Sequence, residues 1–280
     1  MPGSLKKTTF GMGSRCSPEQ IHYLAAFEDF KASETPWFQT RRVKTESRKE
    51  LINKLLNDHG NDEEVLGIIQ VGSTVKGYDD KHSDVDLEVI VTESKYSELT
   101  KNCQKIVHTE EYDLIFTTVT RLQQTKDSDK DEDHWSYQDS VVLLDKTHTL
   151  QKVLSEITAY DEVSRIHRLR RYFGAYWGNT LSSWSCLEHG NQWGARIYTA
   201  LAVQELIRLL FNFNHLWSPK LQWAFKEIRT LQKKPKKLEM QLKSILEQPE
   251  TGKLSRLWSQ TTILLRKEKY TWIDHPEELL

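Results

Sequence analysis

VGSTVKGYDDKHSDVDLEVIV, residues 71–91, is the stretch that decides the fold. Just before it, LGIIQVG (66–72) is a short apolar run ending in glycine, the pattern of a buried strand. Beyond a polar loop, DVDLEVIV (84–91) alternates. Its acids therefore share one face of a strand and Val85, Leu87 and Val89 share the other. Gly72-Ser73 falls where the first strand is expected to turn into a helix, a place where backbone N–H groups and a small hydroxyl hold phosphate. Asp84 and Asp86, two apart, point the same way. Two hard oxygen ligands on one face suit Mg²⁺, which takes one or two carboxylates plus substrate phosphates. Asp113 in the following strand is placed to complete a triad of acids, and such a cluster is unfavourable unless a divalent cation offsets its charge.

Outward from this core, residues 1–17 read as a flexible tail. Ser17-Pro18-Glu19 reads as a helix start, and residues 21–30 are amphipathic up to the break at Pro36. A second helical pattern runs from Ser47 to Gly60. On the C-terminal side the pattern gives a helix over residues 98–104, a strand EYDLIFTTV (111–119), a solvated acidic loop KDSDKDEDH (126–134) and a last strand SVVLLD (140–145). From Thr149 the period is helical. Within 195–211 the residues Ala200, Val203, Leu206, Ile207, Leu210 and Phe211 form one apolar stripe. The expected fold class is α+β, a mixed sheet with flanking helices over 18–146 followed by a helical bundle over 147–280.

Composition narrows the function classes. The chain has 280 residues with 39 Lys and Arg against 40 Asp and Glu, so no bulk charge draws it to nucleic acid or anionic membrane. Nine Trp, ten Tyr and nine Phe exclude a disordered chain. The longest uncharged stretch, 172–187, is broken by Gly, Asn and Ser and is too short to span a bilayer. The first residues carry no apolar signal-peptide core. Cys16, Cys103 and Cys186 lie far apart without a CxxC and read as three reduced thiols of a cytoplasmic protein.

Gly72-Ser73 followed by Ser83-Asp84-Val85-Asp86-Leu87 resembles the signature of the nucleotidyltransferase superfamily with the polymerase-beta-like fold. The resemblance covers residues 65–120. The layout of the helical half and the stretch LLFNFNHLWSPKLQW are similar to small-molecule nucleotidyltransferases that modify aminoglycoside or lincosamide antibiotics. The resemblance implies that 18–146 is a nucleotidyltransferase domain and 147–280 a substrate-binding domain. It implies that Asp84 and Asp86 bind two Mg²⁺ ions and that Gly72 and Ser73 hold a nucleoside triphosphate, ATP. Asp113 would be the shared ligand or the base, with Glu88, Glu110 and Glu111 as rivals. The implied reaction moves AMP onto a hydroxyl of a small acceptor and releases pyrophosphate. A protein or RNA end is the alternative acceptor, and the expected state is a monomer or homodimer.

Other residues complete the set. Lys76 and Lys81 flank the loop and can touch phosphates, as can Ser83, while His82 reads as a loop residue. The Asp127, Asp129, Asp131, Asp133 run fails as a calcium loop because its sixth and twelfth positions are Glu132 and Gln138. Five tryptophans (177, 184, 193, 217 and 223) gather among glycines and polar groups. Most are expected in the core, but the mix can also line an acceptor cleft. Glu188 and Trp193 are the acceptor contacts selected there, with Glu88 of the acidic strand as a third. The basic run 229–243 lacks interleaved aromatics and reads as a solvated connection.

Overall fold

The computed structural model describes residues 45–80, 83–109 and 111–279. The expected tail, the helix start at Ser17 and the amphipathic 21–30 segment lie outside these residues, as do Cys16, Lys81, His82 and Glu110. The described residues form two compact units, 45–124 with 139–153, and 125–138 with 154–279.

The first unit is built on β1 (Val65–Val71), β2 (Val85–Val91), β3 (Ile106–His108), β4 (Tyr112–Thr117) and β5 (Val141–Asp145), in the order β3-β4-β2-β1-β5. β2 runs antiparallel to β1 and parallel to β4, and the other pairs are antiparallel. The alternation read from the sequence is obeyed: Val85, Leu87 and Val89 are buried and Asp86 and Glu88 are half-buried. The buried set packs with Ile68, Leu114 and Leu55, the last from α1 (Thr45–Gly60). At the start of α5 (Leu150–Thr158), the Leu150 side chain comes so close to Gly67 that a Cβ there would lie 2.3 Å from Leu150 Cδ1.

α2 (Glu93–Lys101) begins a turn earlier than expected, because the Thr92 hydroxyl accepts the Lys95 N–H and caps it. β3 and α3 (Val119–Gln124) are too short for a periodic signal and were not expected. Cys103 is disulfide-bonded, which corrects the reading of three reduced thiols, whereas Cys186 is free. Pairing depends on spatial approach, and sequence separation conceals that.

The second unit is helical: α4 (Asp131–Tyr137), the end of α5, α6 (Arg165–Glu188), α7 (Gln192–Phe213), α8 (Ala224–Glu227), α9 (Leu238–Glu247) and α10 (Thr251–Arg266). Val203, Leu206, Ile207, Leu210 and Phe211 of α7 are buried as the stripe requires, while Ala200 is exposed. They pack with Leu169, Phe173 and Tyr176 of α6 and Leu242, Leu254 and Leu257 of α9 and α10. No helix among the described residues is long and apolar enough to cross a membrane.

The acidic loop is the largest correction. Residues 131–137 are α4, and Asp131 is fully buried. Its carboxylate accepts hydrogen bonds from the Asn212 amide and from the Tyr172 hydroxyl at 3.1 Å, with Arg168 Nε 4.0 Å away. Burial drives its pKa above the ordinary value, against the opposing hydrogen bond from Asn212 and the charge of Arg168. The sequence shows only a charge run. A buried partner set from α6 and α7 turns one of those charges inward. Next to it, His134 stacks on Trp217 at 3.9 Å, and its two ring nitrogens lie 2.7 Å from the Ile157 carbonyl and 2.9 Å from that of Ser128.

Candidate active site

The site begins at the end of β1. Gly72 has φ of +83°, a conformation that favours glycine, and a Cβ on it would lie 2.0 Å from Asp86 Oδ2. Val71 and Asp86 are Cα partners across β1 and β2, so the Asp86 carboxylate occupies the space that the missing side chain leaves.

Ser73–Gly77 is a run of turns and not the expected helix. β1 and β2 are antiparallel neighbours, so the connection has only one inter-strand spacing to recross. A turn closed by the Tyr78 N–H on the Ser73 carbonyl at 3.0 Å, with Gly77 also left-handed at φ +66°, does this without a helix. A left-handed residue leading into a turn is the backbone form that makes an anion-binding concavity. A phosphate role for Gly72-Ser73 would therefore use this turn and not a helix N-terminus.

Asp84 stands one residue before β2 and is half-buried. Asp86 and Asp113 are Cα partners on the parallel strands β2 and β4, which sets their side chains next to one another on one face. Glu88 follows on that face, paired in register with Ile115 of β4, one pleat further along. Glu111 is exposed, and its backbone carbonyl accepts from Val85 N–H. Asp113 is also the register partner of His108 in β3. His108 Nδ1 lies 2.9 Å from Asp113 Oδ1, within ion-pair range when the ring is protonated. That oxygen is shielded from solvent and no hydrogen bond is directed at it. His108 was missed in the sequence, although the hairpin spacing from 108 to 113 was available to find it.

Among the described residues, no three His, Cys, Asp or Glu side chains converge closely enough to hold a metal ion by protein ligands alone. The chemistry on offer is a pair of hard carboxylates, one of them set against Gly72. It fits a divalent cation whose remaining ligands are phosphate oxygens and water.

Lys76 is not a solvated lysine. Its side chain is 3 % exposed and donates to Asp139 Oδ2 at 2.7 Å. The Ser83 hydroxyl accepts the Asp80 N–H at 2.9 Å. A second cation missed in the sequence, Arg48 of α1, reaches the same loop: it ion-pairs with Asp79 and donates to the carbonyls of Asp80 and Ser83.

In the helical unit, Glu188 ends α6 and is exposed. Trp193 in the first turn of α7 is 76 % exposed with the Arg196 guanidinium 5.3 Å from its ring. The Asn191 side chain caps that helix by accepting the Gly194 N–H at 2.9 Å. The other tryptophans follow the core expectation to different degrees. Trp217 is buried, and Trp184 packs on the core with its Nε1 buried and unpartnered.

No protein-family profile and no curated protein matches the chain. Among solved structures it is similar to a nucleotidyltransferase-like protein from Exiguobacterium sibiricum 255-15. The two share 12% identity over 78% of this chain and 77% of that one, with a TM-score of 0.43. A likeness that loose fixes neither fold family nor function.

Proposed function

We propose that the chain is a Mg²⁺-dependent nucleotidyltransferase that moves AMP from ATP onto a hydroxyl of a small molecule and releases pyrophosphate. Aminoglycoside and lincosamide antibiotics are the acceptors to test first. The observation that carries this reading is the mutual fit of Gly72 and Asp86, with Asp113 beside Asp86 on the next strand. A strand-end glycine without room for a Cβ, set against a carboxylate, is what close approach of a phosphate to a cation-binding acid requires.

Asp84 and Asp86 would hold the cation. When bound, it would neutralise phosphate charge and polarise the reacting phosphoryl group. The turn at Gly72 and Ser73 would receive the phosphates through its backbone N–H groups. Asp113 would take the proton of the acceptor hydroxyl as it attacks the α-phosphate, and His108 beside it would orient that carboxylate. In this reading Lys76 exchanges Asp139 for a phosphate oxygen, keeping one anionic partner throughout. Positioning and electrostatics would supply most of the rate. Glu188 and Trp193 would touch the acceptor. The two units would be a nucleotidyltransferase domain and a substrate-binding domain.

The test is incubation of the purified protein with ATP labelled at the α-phosphate, Mg²⁺, and separately an antibiotic panel and a cell lysate. Label in a small molecule, lost in Asp86→Asn with an unchanged circular dichroism spectrum, is the expected result. Label in a protein or RNA band would replace the acceptor and keep the chemistry. Transfer by folded Asp86→Asn protein would sink the mechanism.

A further inference from the structure

We propose that Arg48 is a positioning residue for the cation site, acting through the loop that delivers Asp84. The inference rests on the reading of Asp84 and Asp86 as cation ligands. Arg48 lies near the start of α1, and its side chain is 9 % exposed. Nη1 pairs with the Asp79 carboxylate. Nη2 donates to two backbone carbonyls, Asp80 at 2.6 Å and Ser83 at 3.0 Å. Nε is buried without a hydrogen-bond partner. The guanidinium thus bonds residues 79, 80 and 83, one short segment of loop.

The Ser83 carbonyl belongs to the peptide that joins Ser83 to Asp84. Holding that oxygen fixes the plane of the peptide and so the direction in which the chain enters Asp84. Asp80 is held again from inside the loop, where its N–H donates to Ser83 Oγ and the Ser83 N–H donates to its carbonyl at 3.2 Å. At the other end of the loop Lys76 is tied to Asp139. The connection between the two strands is thus anchored by two buried cations, one near each end, and the one nearer the proposed ligand is Arg48. A planar fork with donors in fixed directions can satisfy a carboxylate and two carbonyls at once, which the single ammonium of lysine does not.

Groups that hold a metal ligand in place without touching the metal typically change metal affinity by about 10–100-fold when removed. A staple with a purely structural role would instead lower the unfolding temperature and leave affinity unchanged when measured well below it. The experiment is calorimetric titration of Mg²⁺ into the full chain with a nonhydrolysable ATP analogue, with thermal unfolding in parallel. It compares wild type, Arg48→Lys, Asp79→Asn and Asp84→Asn. The expected result is a fall in apparent Mg²⁺ affinity of about 10–100-fold in Arg48→Lys. A smaller fall is expected in Asp79→Asn, which keeps both carbonyl bonds, and complete loss in Asp84→Asn.

Asp79 is one-third exposed, so its variant reports even if Arg48→Lys does not fold. Wild-type affinity in Asp79→Asn and in any folded Arg48→Lys, with loss in Asp84→Asn, overturns the role of Arg48 and keeps the site. Absence of Mg²⁺-dependent nucleotide binding in the wild type removes the site reading and this inference with it.

Discussion

Gly72 and Asp86 are shaped to one another: the backbone at Gly72 is left-handed, and a Cβ there would lie 2.0 Å from the Asp86 carboxylate oxygen and 2.7 Å from its Cγ. The two residues sit at the end of one strand and inside its antiparallel neighbour, and the pairing of Val71 with Asp86 makes the approach unavoidable.

Gly72→Ala should therefore fail in two ways. The left-handed backbone costs about 1–2 kcal/mol for a residue with a Cβ, and the Asp86 carboxylate must also move. Gly77→Ala separates the two effects, because Gly77 is left-handed too but has nothing within 4 Å of its would-be Cβ. Urea unfolding should show a loss of about 1–2 kcal/mol in Gly77→Ala and more in Gly72→Ala. Calorimetry should show Mg²⁺-nucleotide binding abolished in Gly72→Ala and retained in Gly77→Ala.

Much of this was legible in residues 65–91. The strand ending in glycine and the alternation of Asp86 and Glu88 against Val85, Leu87 and Val89 are local patterns, and the sheet obeys them. Two kinds of information were not local. Pairing brought His108 to Asp113, and the choice of turn over helix after Ser73 followed from the antiparallel return of the chain. Arg48 was invisible because its partners lie more than thirty positions away. Asp131 was misread for the same reason: a run of aspartates looks solvated until Tyr172, Arg168 and Asn212 are placed around one of them.

That buried carboxylate is the stability feature of the helical unit. Asp131→Ala would leave the buried Tyr172 hydroxyl without its acceptor and the Asn212 amide with the Arg208 carbonyl alone, while Arg168 keeps Asp161, and each buried donor left unsatisfied costs about 1–3 kcal/mol. Asp129, whose side chain is 81 % exposed beside Arg171, should tolerate alanine within about 0.5 kcal/mol. Urea unfolding of the two variants measures both.

Acid should weaken the sheet unit partly through Asp145. Burial acts to raise the pKa of this carboxylate, but hydrogen bonds from the Thr147 hydroxyl and the Leu150 and Thr147 N–H groups outweigh it and hold the pKa below 3.8. A pKa lower in the folded than in the unfolded chain stabilises the fold above the unfolded value, and the contribution is lost as pH falls through the folded one. The stability difference between wild type and Asp145→Asn should be constant from neutral pH down to about 4.5 and shrink below that, as read from unfolding free energies at successive pH values.

Two tryptophans offer a contrast in the second unit. Trp217 is 3 % exposed, stacks on His134 and donates from Nε1 to the Thr158 carbonyl at 3.1 Å. Trp217→Ala should cost about 3–5 kcal/mol. Trp193→Ala should leave unfolding within about 0.5 kcal/mol of wild type and, if the acceptor meets this residue, raise the KM for acceptor without changing that for ATP.

The parallel pairing of β2 with β4 has a further consequence. Asp86 and Asp113 become register partners only after the chain has crossed over through α2 and β3, so the two carboxylates are set side by side by a long-range closure of the sheet. Every other pairing in the sheet is antiparallel. Pairing of β2 with β4 and assembly of the carboxylate pair are thus one event. An Mg²⁺–nucleotide complex that recognises the pair would bind only the finished sheet, and at a hundred times its Kd would hold it folded by about 2.7 kcal/mol. Ligand concentration would then govern how long the protein lasts as well as how fast it works.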